Sequence, residues 1–533
     1  MNKNLALICA ALWLALTIHS VVAVPRPNVV YIMADDIGWG DFQCYFSKGK
    51  VPTPNIDRLA REGMRFTDAH TAAALCAPTR YTVATGNYTW RGRLPGGTWG
   101  WHQEPQFLPG QKTVGHLLQE AGYRTGLFGK LHFGGVFESN ASGKPDFTKP
   151  MKVGPREWGF TDSYVLLGGH QAPPYCFIEN NSVDGDGAKV RDLAAGPLNG
   201  GAVPSAGPGL PDWDSRKVGE KLVEKVIAFM DAGKDQPFYV HLSTDGAHGP
   251  YTPPETLRGS PVKGVTQMSA KTDMAHEVDV IVGKLVEALT QRNLLENTLM
   301  IVTSDNGGIP ADRETFGHDA VGGLRGAKSL IWEGGHRVPF VAMWKGHVPA
   351  GTVRNQLIGT LDIVPTFVEL AGGKFEPDQM LDSVSLAPVL LGQRGDDQPV
   401  RETMLIQSSP GRDAFTDVAG SKGPDIPKRR KGAGQKISAE EFKKAKNRAH
   451  NQIAKKGEKS GSDGMAHALR QGAWKLVFDI EHDQAVALYN LDDDLNEQKN
   501  LIAEAAQKER IAQMDKIYRD IRSSKRSTPV EQR

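Results

Sequence analysis

The sequence predicts an α/β chain: a large, mostly parallel central sheet flanked by helices, followed by a smaller C-terminal subdomain of antiparallel sheet plus helix. Three observations lead there. Apolar runs of strand length recur between segments of helical period. Those runs are nearly continuous, as strands covered on both faces require. Ionisable residues fall just beyond the carboxyl ends of the runs, where open α/β sheets bind ligands.

The first run, Asn28 to Met33, leads into Asp35-Asp36. Thr53-Pro54 then opens a helix carrying Ile56 and Leu59, with Pro54 in the first turn. The run from Tyr123 to Phe128 leads into Lys130 and His132. Ser215 to Met230 spaces Val218, Leu222, Val226 and Phe229 as one helical face, with Gly233 as a stop. Phe238 to Leu242 leads towards His248, and Met274 to Leu289 repeats the helical spacing with Val278, Ile281, Leu285 and Leu289. Thr298 to Val302 leads into Asp305-Asn306. After about Gly373 the runs shorten to Met404-Leu-Ile406, Trp474 to Phe478 and Ala487 to Tyr489, before a charged helix from about Ala503 to Ile521.

A chain of 533 residues is long enough for such an arrangement. The expected division is a leader over 1–23, a large catalytic domain over 24–373, and a smaller subdomain over 374–533 with a basic insertion near 409–464. Between Lys428 and Lys459 basic residues exceed acidic ones by about nine, which reads as a solvated loop or as a polycation attracting a polysulfated substrate. The formal net charge of +2 gives no support to a nucleic-acid partner.

Lys3, the apolar stretch from Leu5 to Ile18 and the small residues Val21-Val22-Ala23 read as a signal peptide. The apolar stretch is short for a bilayer span, so no stable membrane anchor is expected and the protein is read as secreted or periplasmic. Cys44, Cys76 and Cys176 survive cleavage, and three cysteines leave at least one unpaired. Cys44 and Cys176 read as buried thiols in preference to a disulfide. So few cysteines favour a bacterial periplasm over a lysosome. Asn87, Asn140 and Asn180 lie in glycosylation triplets, which matter only in a eukaryotic source.

Chemistry concentrates first at Cys76-Ala-Pro-Thr-Arg80, followed by Thr85-Gly86. Pro78 suits a first helical turn, so Cys76 is expected at a helix N-terminus, where backbone N–H groups favour an anion. Arg80 lies one turn further and can face the same point. A thiolate nucleophile and a structural cysteine are the alternatives. Cysteine phosphatases, however, use a longer loop between Cys and Arg and need no metal. Asp35, Asp36, Asp305 and Asn306 offer four oxygen-bearing side chains at strand ends, a set suited to Ca²⁺ or Mg²⁺. Asp41 in the same loop reads as structural.

Cys76-x-Pro-x-Arg80 with Thr85-Gly86 resembles the modification motif of the sulfatase family, and Gly122-Tyr-Arg-Thr-Gly-Leu-Phe-Gly-Lys-Leu-His132 resembles its second motif. Asp35-Asp36-x-Gly-x-Gly-Asp41, Thr303-Ser-Asp-Asn-Gly307 and Leu324-Arg-Gly-Ala-Lys328 with Trp332-Glu-Gly-Gly335 continue the likeness. So do Leu361 to Thr366, Asp382 to Leu386, Trp474-Lys-Leu476 and Leu488-Tyr489. The resemblance runs in order through nearly the whole mature chain, the basic insertion excepted.

It implies the fold of the alkaline phosphatase superfamily and a sulfuric ester hydrolase of arylsulfatase type. Cys76 would be oxidised to formylglycine by a maturation enzyme, and one hydroxyl of the hydrated aldehyde would attack sulfur. The second hydroxyl would then collapse to release sulfate. Asp35, Asp36, Asp305 and Asn306, with the modified Cys76, would hold Ca²⁺ in preference to Mg²⁺. Arg80 and Lys130 would orient the diol, His132 would act as its base, and His248 and Lys328 would bind sulfate and protonate the leaving oxygen. Three positions depart from the family: Ala247 stands where Pro usually precedes the His, Leu131 replaces a Trp, and Thr79 a more frequent Ser.

Two other readings stay open: a phosphonate or phosphate ester hydrolase on the same fold, and a non-catalytic binder of sulfated glycans. The expected substrate is a sulfated small molecule or glycan. Specificity is expected in loops such as Gly168 to Tyr175 and Asn199 to Trp213, from which no particular sugar can be read.

Overall fold

The computed structural model describes residues 26–409 except 102, 234, 235 and 375, then residues 414, 415, 417, 418, 436 and 437, and finally 465–528. The expected leader and nearly all of the basic insertion lie outside the described residues.

Among the described residues the main sheet has ten strands. In chain order these are β1 (Asn28–Ala34), β2 (Met64–Phe66), β3 (Arg124–Lys130), β4 (Asp162–Leu166), β5 (Ile178–Glu179), β6 (Ser182–Val183), β7 (Phe238–Ser243), β8 (Thr298–Ser304), β9 (Phe340–Met343) and β10 (Thr352–Arg354). Across the sheet they run β10-β2-β9-β8-β1-β7-β3-β4-β5-β6. The centre, β8-β1-β7-β3-β4, is parallel, and antiparallel pairs enter at β8-β9, β9-β2, β4-β5 and β5-β6. The carboxyl ends of β1, β3, β7 and β8 therefore lie side by side.

Continuous apolar runs have a direct cause. Val29, Tyr31 and Met33 join one core cluster, while Val30, Ile32 and Ala34 join another across the sheet. Both faces are covered, so neither tolerates a polar side chain. One layer contains α2 (Cys76–Thr85), α3 (Val114–Glu120) and α6 (Ile363–Leu370); the other contains α1 (Pro54–Glu62), α4 (Val218–Asp231) and α5 (Ala270–Gln291). Pro54 occupies the first turn of α1, and Ser269 caps α5 by accepting the Thr272 N–H. Every residue of α2 is buried, and Gly86 ends it in the left-handed conformation at φ 68°.

The C-terminal part forms an antiparallel sheet of β11 (Thr403–Gln407), β12 (Ala466–Gln471), β13 (Trp474–Asp479) and β14 (Gln484–Asn490). Helix α7 (Lys508–Ser523) packs on it through Met514, Tyr518 and Ile521, with Tyr518 stacked on Phe478. This helix starts later than expected, after a 3-10 turn over Ala505–Gln507. Strand β12 has no counterpart among the sequence expectations.

A buried charge network joins the two sheets. Lys475 Nζ lies 3.0 Å from Glu333 Oε1 and 2.8 Å from Glu497 Oε1. Arg470 Nη2 is 2.9 Å from Asp68 Oδ2, and Arg337 Nε donates to Glu333 Oε2 at 2.8 Å. His70 and His336 meet through Nδ1 atoms 2.9 Å apart. No helix among the described residues is long and apolar enough to cross a membrane.

Candidate active site

Strand ends bring the expected residues together. At the tip of β1, Asp35 and Asp36 are 0% and 1% exposed, and Asp36 turns the chain at φ 64°. Asp41 folds this loop back: its Oδ2 accepts the Gly38 N–H at 2.8 Å, and its Oδ1 pairs with His318 Nε2 at 2.8 Å. That is the structural part the sequence suggested. Beyond β8, Asp305 Oδ1 accepts the Asp36 N–H at 3.2 Å, while Asn306 Nδ2 donates to Asp36 Oδ1 at 2.9 Å.

Helix α2 aims its first residue at this cluster. Cys76 is fully buried, and its Sγ lies 3.5 Å from His132 Nδ1. Arg80, one turn on, donates through Nε and Nη2 to Asp305 Oδ2 at 3.1 and 2.6 Å, and through Nη1 to the Lys130 carbonyl at 3.0 Å. Lys130, ending β3, forms an ion pair with Asp35, and Lys328 forms one with Asp36. His132 sits at φ 61° after its N–H donates to the Leu167 carbonyl. Leu131, the departure from Trp, is a fully buried core residue. His248 places Nε2 3.8 Å from Asp36 Oδ2, and its Nδ1 is 2.6 Å from the Gly249 carbonyl.

Charge balance follows from these contacts. Burial alone would raise Asp35, but Lys130, His248, Lys328 and Arg80 together hold it well below the usual carboxylate range. Burial, then the Asp35 charge, pushes Asp305 up to about 6 against the pull of Arg80. Burial lowers the His248 imidazole well below its ordinary value. Burial also works against a charged Lys328, yet Asp36 leads the anions that hold its ammonium above the ordinary value.

A hard cation suits this donor set. Ligand atoms of Asp35, Asp36 and His248 lie within 4.8 Å of one another. Asp35 Oδ1 and Asn306 Oδ1 are buried oxygen atoms with no hydrogen-bond partner. A second trio, His70, Glu333 and His336, also meets the distance test. Its donors are already engaged: Lys475 Nζ lies 3.0 Å from His336 Nε2, and Arg470 Nη1 is 2.9 Å from His70 Nε2. Two fixed cations leave that trio unsuited to a metal.

Of the six side chains expected to act on the substrate, Arg80, Lys130, His248 and Lys328 border the oxygen cluster of Asp35, Asp36, Asp305 and Asn306, and Cys76 and His132 face each other beside them. A crevice of about 800 Å³ opens elsewhere, lined by Trp39, Asp68, Arg337 and Arg470 among others. Cys44 and Cys176 are unbridged. The loop from Gly168 to Tyr175, expected to set specificity, and Asp245, which the sequence did not single out, also reach the site. The Gly168 carbonyl lies 3.1 Å from His132 Nε2, and Gln171 Nε2 lies 3.4 Å from the same atom. Asp245 Oδ1 accepts the His170 N–H at 3.2 Å, and His170 Nε2 reaches the His248 carbonyl at 3.0 Å. For Asp245, only its place in the loop beyond β7 could have drawn attention to it.

Comparison with known proteins bears on the family and the fold. A family model described as Sulfatase matches residues 27–373. Human arylsulfatase A is 33% identical over 397 residues, covering 72% of this chain and 71% of the human protein. An N-acetylgalactosamine-6-O-sulfatase of Bacteroides thetaiotaomicron is 29% identical over 424 residues, covering 72% and 79%. Among solved structures, one concerned with glycosaminoglycan metabolism in Bacteroides thetaiotaomicron superposes with TM-score 0.72 at 23% identity, over 94% of this chain and 100% of that one. A phosphonate monoester hydrolase from Silicibacter pomeroyi shares the fold at TM-score 0.59 and 18% identity, over 94% and 96%.

Proposed function

Because the chain belongs to the sulfatase family, whose members hydrolyse sulfuric esters, we propose that it desulfates carbohydrates outside the cytoplasm. In this reading a maturation enzyme converts Cys76 to formylglycine, and Asp35, Asp36, Asp305 and Asn306, with the modified Cys76, hold Ca²⁺. The observation that supports it is Cys76 at the start of a buried helix, 3.5 Å from His132 Nδ1 and one turn before Arg80, which is bound to Asp305. When present, the aldehyde hydrate supplies the oxygen nucleophile and the route for sulfate release, and the divalent ion draws charge from the sulfate oxygens.

The chain's own groups do the rest. Cys76 Sγ stands in for an oxygen of that hydrate. The Gly168 carbonyl only accepts, so His132 Nε2 carries the hydrogen and Nδ1 presents its lone pair to position 76. His132 is then the base for a hydroxyl there. Arg80 is locked by three hydrogen bonds and adds fixed positive charge beside the same atom. Lys130 and Lys328 hold the two aspartates and face the sulfate. Lys328, held as an ammonium, delivers a proton to the departing alcohol, with His248 beside Asp36 bordering the same sulfate.

Substrate class rests on the names of relatives, which act on N-acetylgalactosamine 6-sulfates, and on the basic insertion. Peptide mass spectrometry of active protein is expected to find aldehyde at position 76; unmodified thiol alone would exclude the mechanism. The fold is shared with a phosphonate monoester hydrolase, so matched aryl sulfate and aryl phosphate diester must be compared. Faster turnover of the phosphate would favour that second reading. Screening sulfated glycans, 6-O-sulfated N-acetylgalactosamine included, then identifies the substrate.

A further inference from the structure

We propose that Gln171 is a positioning residue that fixes His132 in its productive tautomer by bridging it to Asp245; the proposal rests on His132 acting as the base. Two facing atoms motivate it. His132 Nε2 carries its hydrogen towards the Gly168 carbonyl at 3.1 Å, yet the Gln171 amide nitrogen, also a donor, stands 3.4 Å from the same Nε2. Two donors therefore point at each other.

At the other end of the amide the conflict is reversed. Gln171 Oε1 is buried and accepts no hydrogen bond. A methyl group placed on Gly169 would meet Gln171 Oε1 at 2.4 Å and Asp245 Oδ1 at 2.7 Å, so both oxygen atoms flank the Cβ direction of Gly169, and Asp245 Oδ2 is likewise a buried acceptor with no hydrogen-bond partner. Half a turn of the amide resolves both conflicts. Oε1 then accepts from His132 Nε2–H beside the Gly168 carbonyl, and the NH₂ faces the Asp245 carboxylate. Asp245 is itself held by the His170 N–H at 3.2 Å. With the Gly168 carbonyl and Gln171 Oε1 both accepting at Nε2, the ring keeps its hydrogen there and its lone pair on the Nδ1 that faces position 76. The alternative tautomer would set a lone pair against the Gly168 carbonyl and a hydrogen against the nucleophile.

The test is a charge swap read by steady-state turnover of an aryl sulfate, with aldehyde content at position 76 measured in each variant so that maturation is not mistaken for catalysis. Gln171→Met keeps the length but neither accepts nor donates. It is expected to lower kcat per aldehyde about 10- to 100-fold with KM within about twofold, less than the 10²–10⁴ of a general base itself. Gln171→Glu accepts from His132 but confronts Asp245, so it is expected to be similarly impaired. Adding Asp245→Asn supplies the missing donor and is expected to return kcat to within about threefold of the starting enzyme. A merely structural role gives no such rescue. Unchanged kcat in Gln171→Met, or a double variant no better than Gln171→Glu, would overturn the bridge. His132→Ala tests the premise separately: full activity there would remove His132 as the base whatever Gln171 does.

Discussion

Arg80 shows how much one side chain carries. Its Nε and Nη2 both donate to Asp305, and Nη1 donates to the Lys130 carbonyl, so one planar group ties α2 to β8 and β3. Lysine offers a point charge and cannot reproduce the fork. Arg80→Lys is expected to reduce kcat on an aryl sulfate about 100-fold, the order of losing one aimed donor, with the fold retained by circular dichroism. Metal removal acts on the same residues. Stripping with a chelator is expected to abolish turnover and lower Tm, and Ca²⁺ at about a hundred times its Kd should restore about 2.7 kcal/mol of stability. Unaltered melting and turnover after exhaustive chelation would count against the ion. Asp35, Lys130 and Asp305 were legible because each stands at the end of a buried strand, and Arg80 because it lies one helical turn beyond Cys76. Gln171 was legible only as part of a specificity loop and Asp245 not at all, since a glutamine in a loop has no further role until His132, from another strand, is placed against it.

At the scale of an element, α5 carries a charge its surroundings resist. Glu277 is 6% exposed and borders a void of about 10 Å³, roughly one water, together with Asp245. Burial, then the Asp245 charge, pushes its carboxyl up to about 8. The folded chain thus holds a proton that the unfolded chain releases near 4.5, so stability contributed by this group is full below that pH and is lost as pH rises to about 8. Glu277→Gln is therefore expected to raise Tm at pH 8.5 and to change it little at pH 5, as thermal melts at the two pH values would register. A pH-independent effect would show that Glu277 is ionised throughout. Strands such as β1 were readable because both faces are apolar, whereas β12 was missed. Its Ala466-His-Ala-Leu-Arg-Gln471 mixes small, ionisable and apolar residues because its polar side chains, His467 and Arg470, enter buried networks.

The two sheets behave as one body for the same reason. Lys475 stands between Glu333 and Glu497, all fully buried, so Lys475→Met would leave two carboxylates without their shared cation. A loss of about 3–5 kcal/mol is expected, seen as a single unfolding transition at lower denaturant. A separate early transition of the C-terminal part would instead show that it unfolds independently. None of this was visible in the sequence, because the partners come from positions far apart in the chain. The complete burial of α2 has a consequence of another kind, one of timing. The Tyr88 hydroxyl, just after α2, accepts the Leu405 N–H, and the Ala74 N–H donates to the Gln407 carbonyl; β11 thus seals the segment bearing Cys76. Under the proposed mechanism, a maturation enzyme would have to reach that cysteine while the chain is still being made or exported. Protein that finishes folding with its thiol intact would be stranded, a shelved precursor that no later encounter could mature.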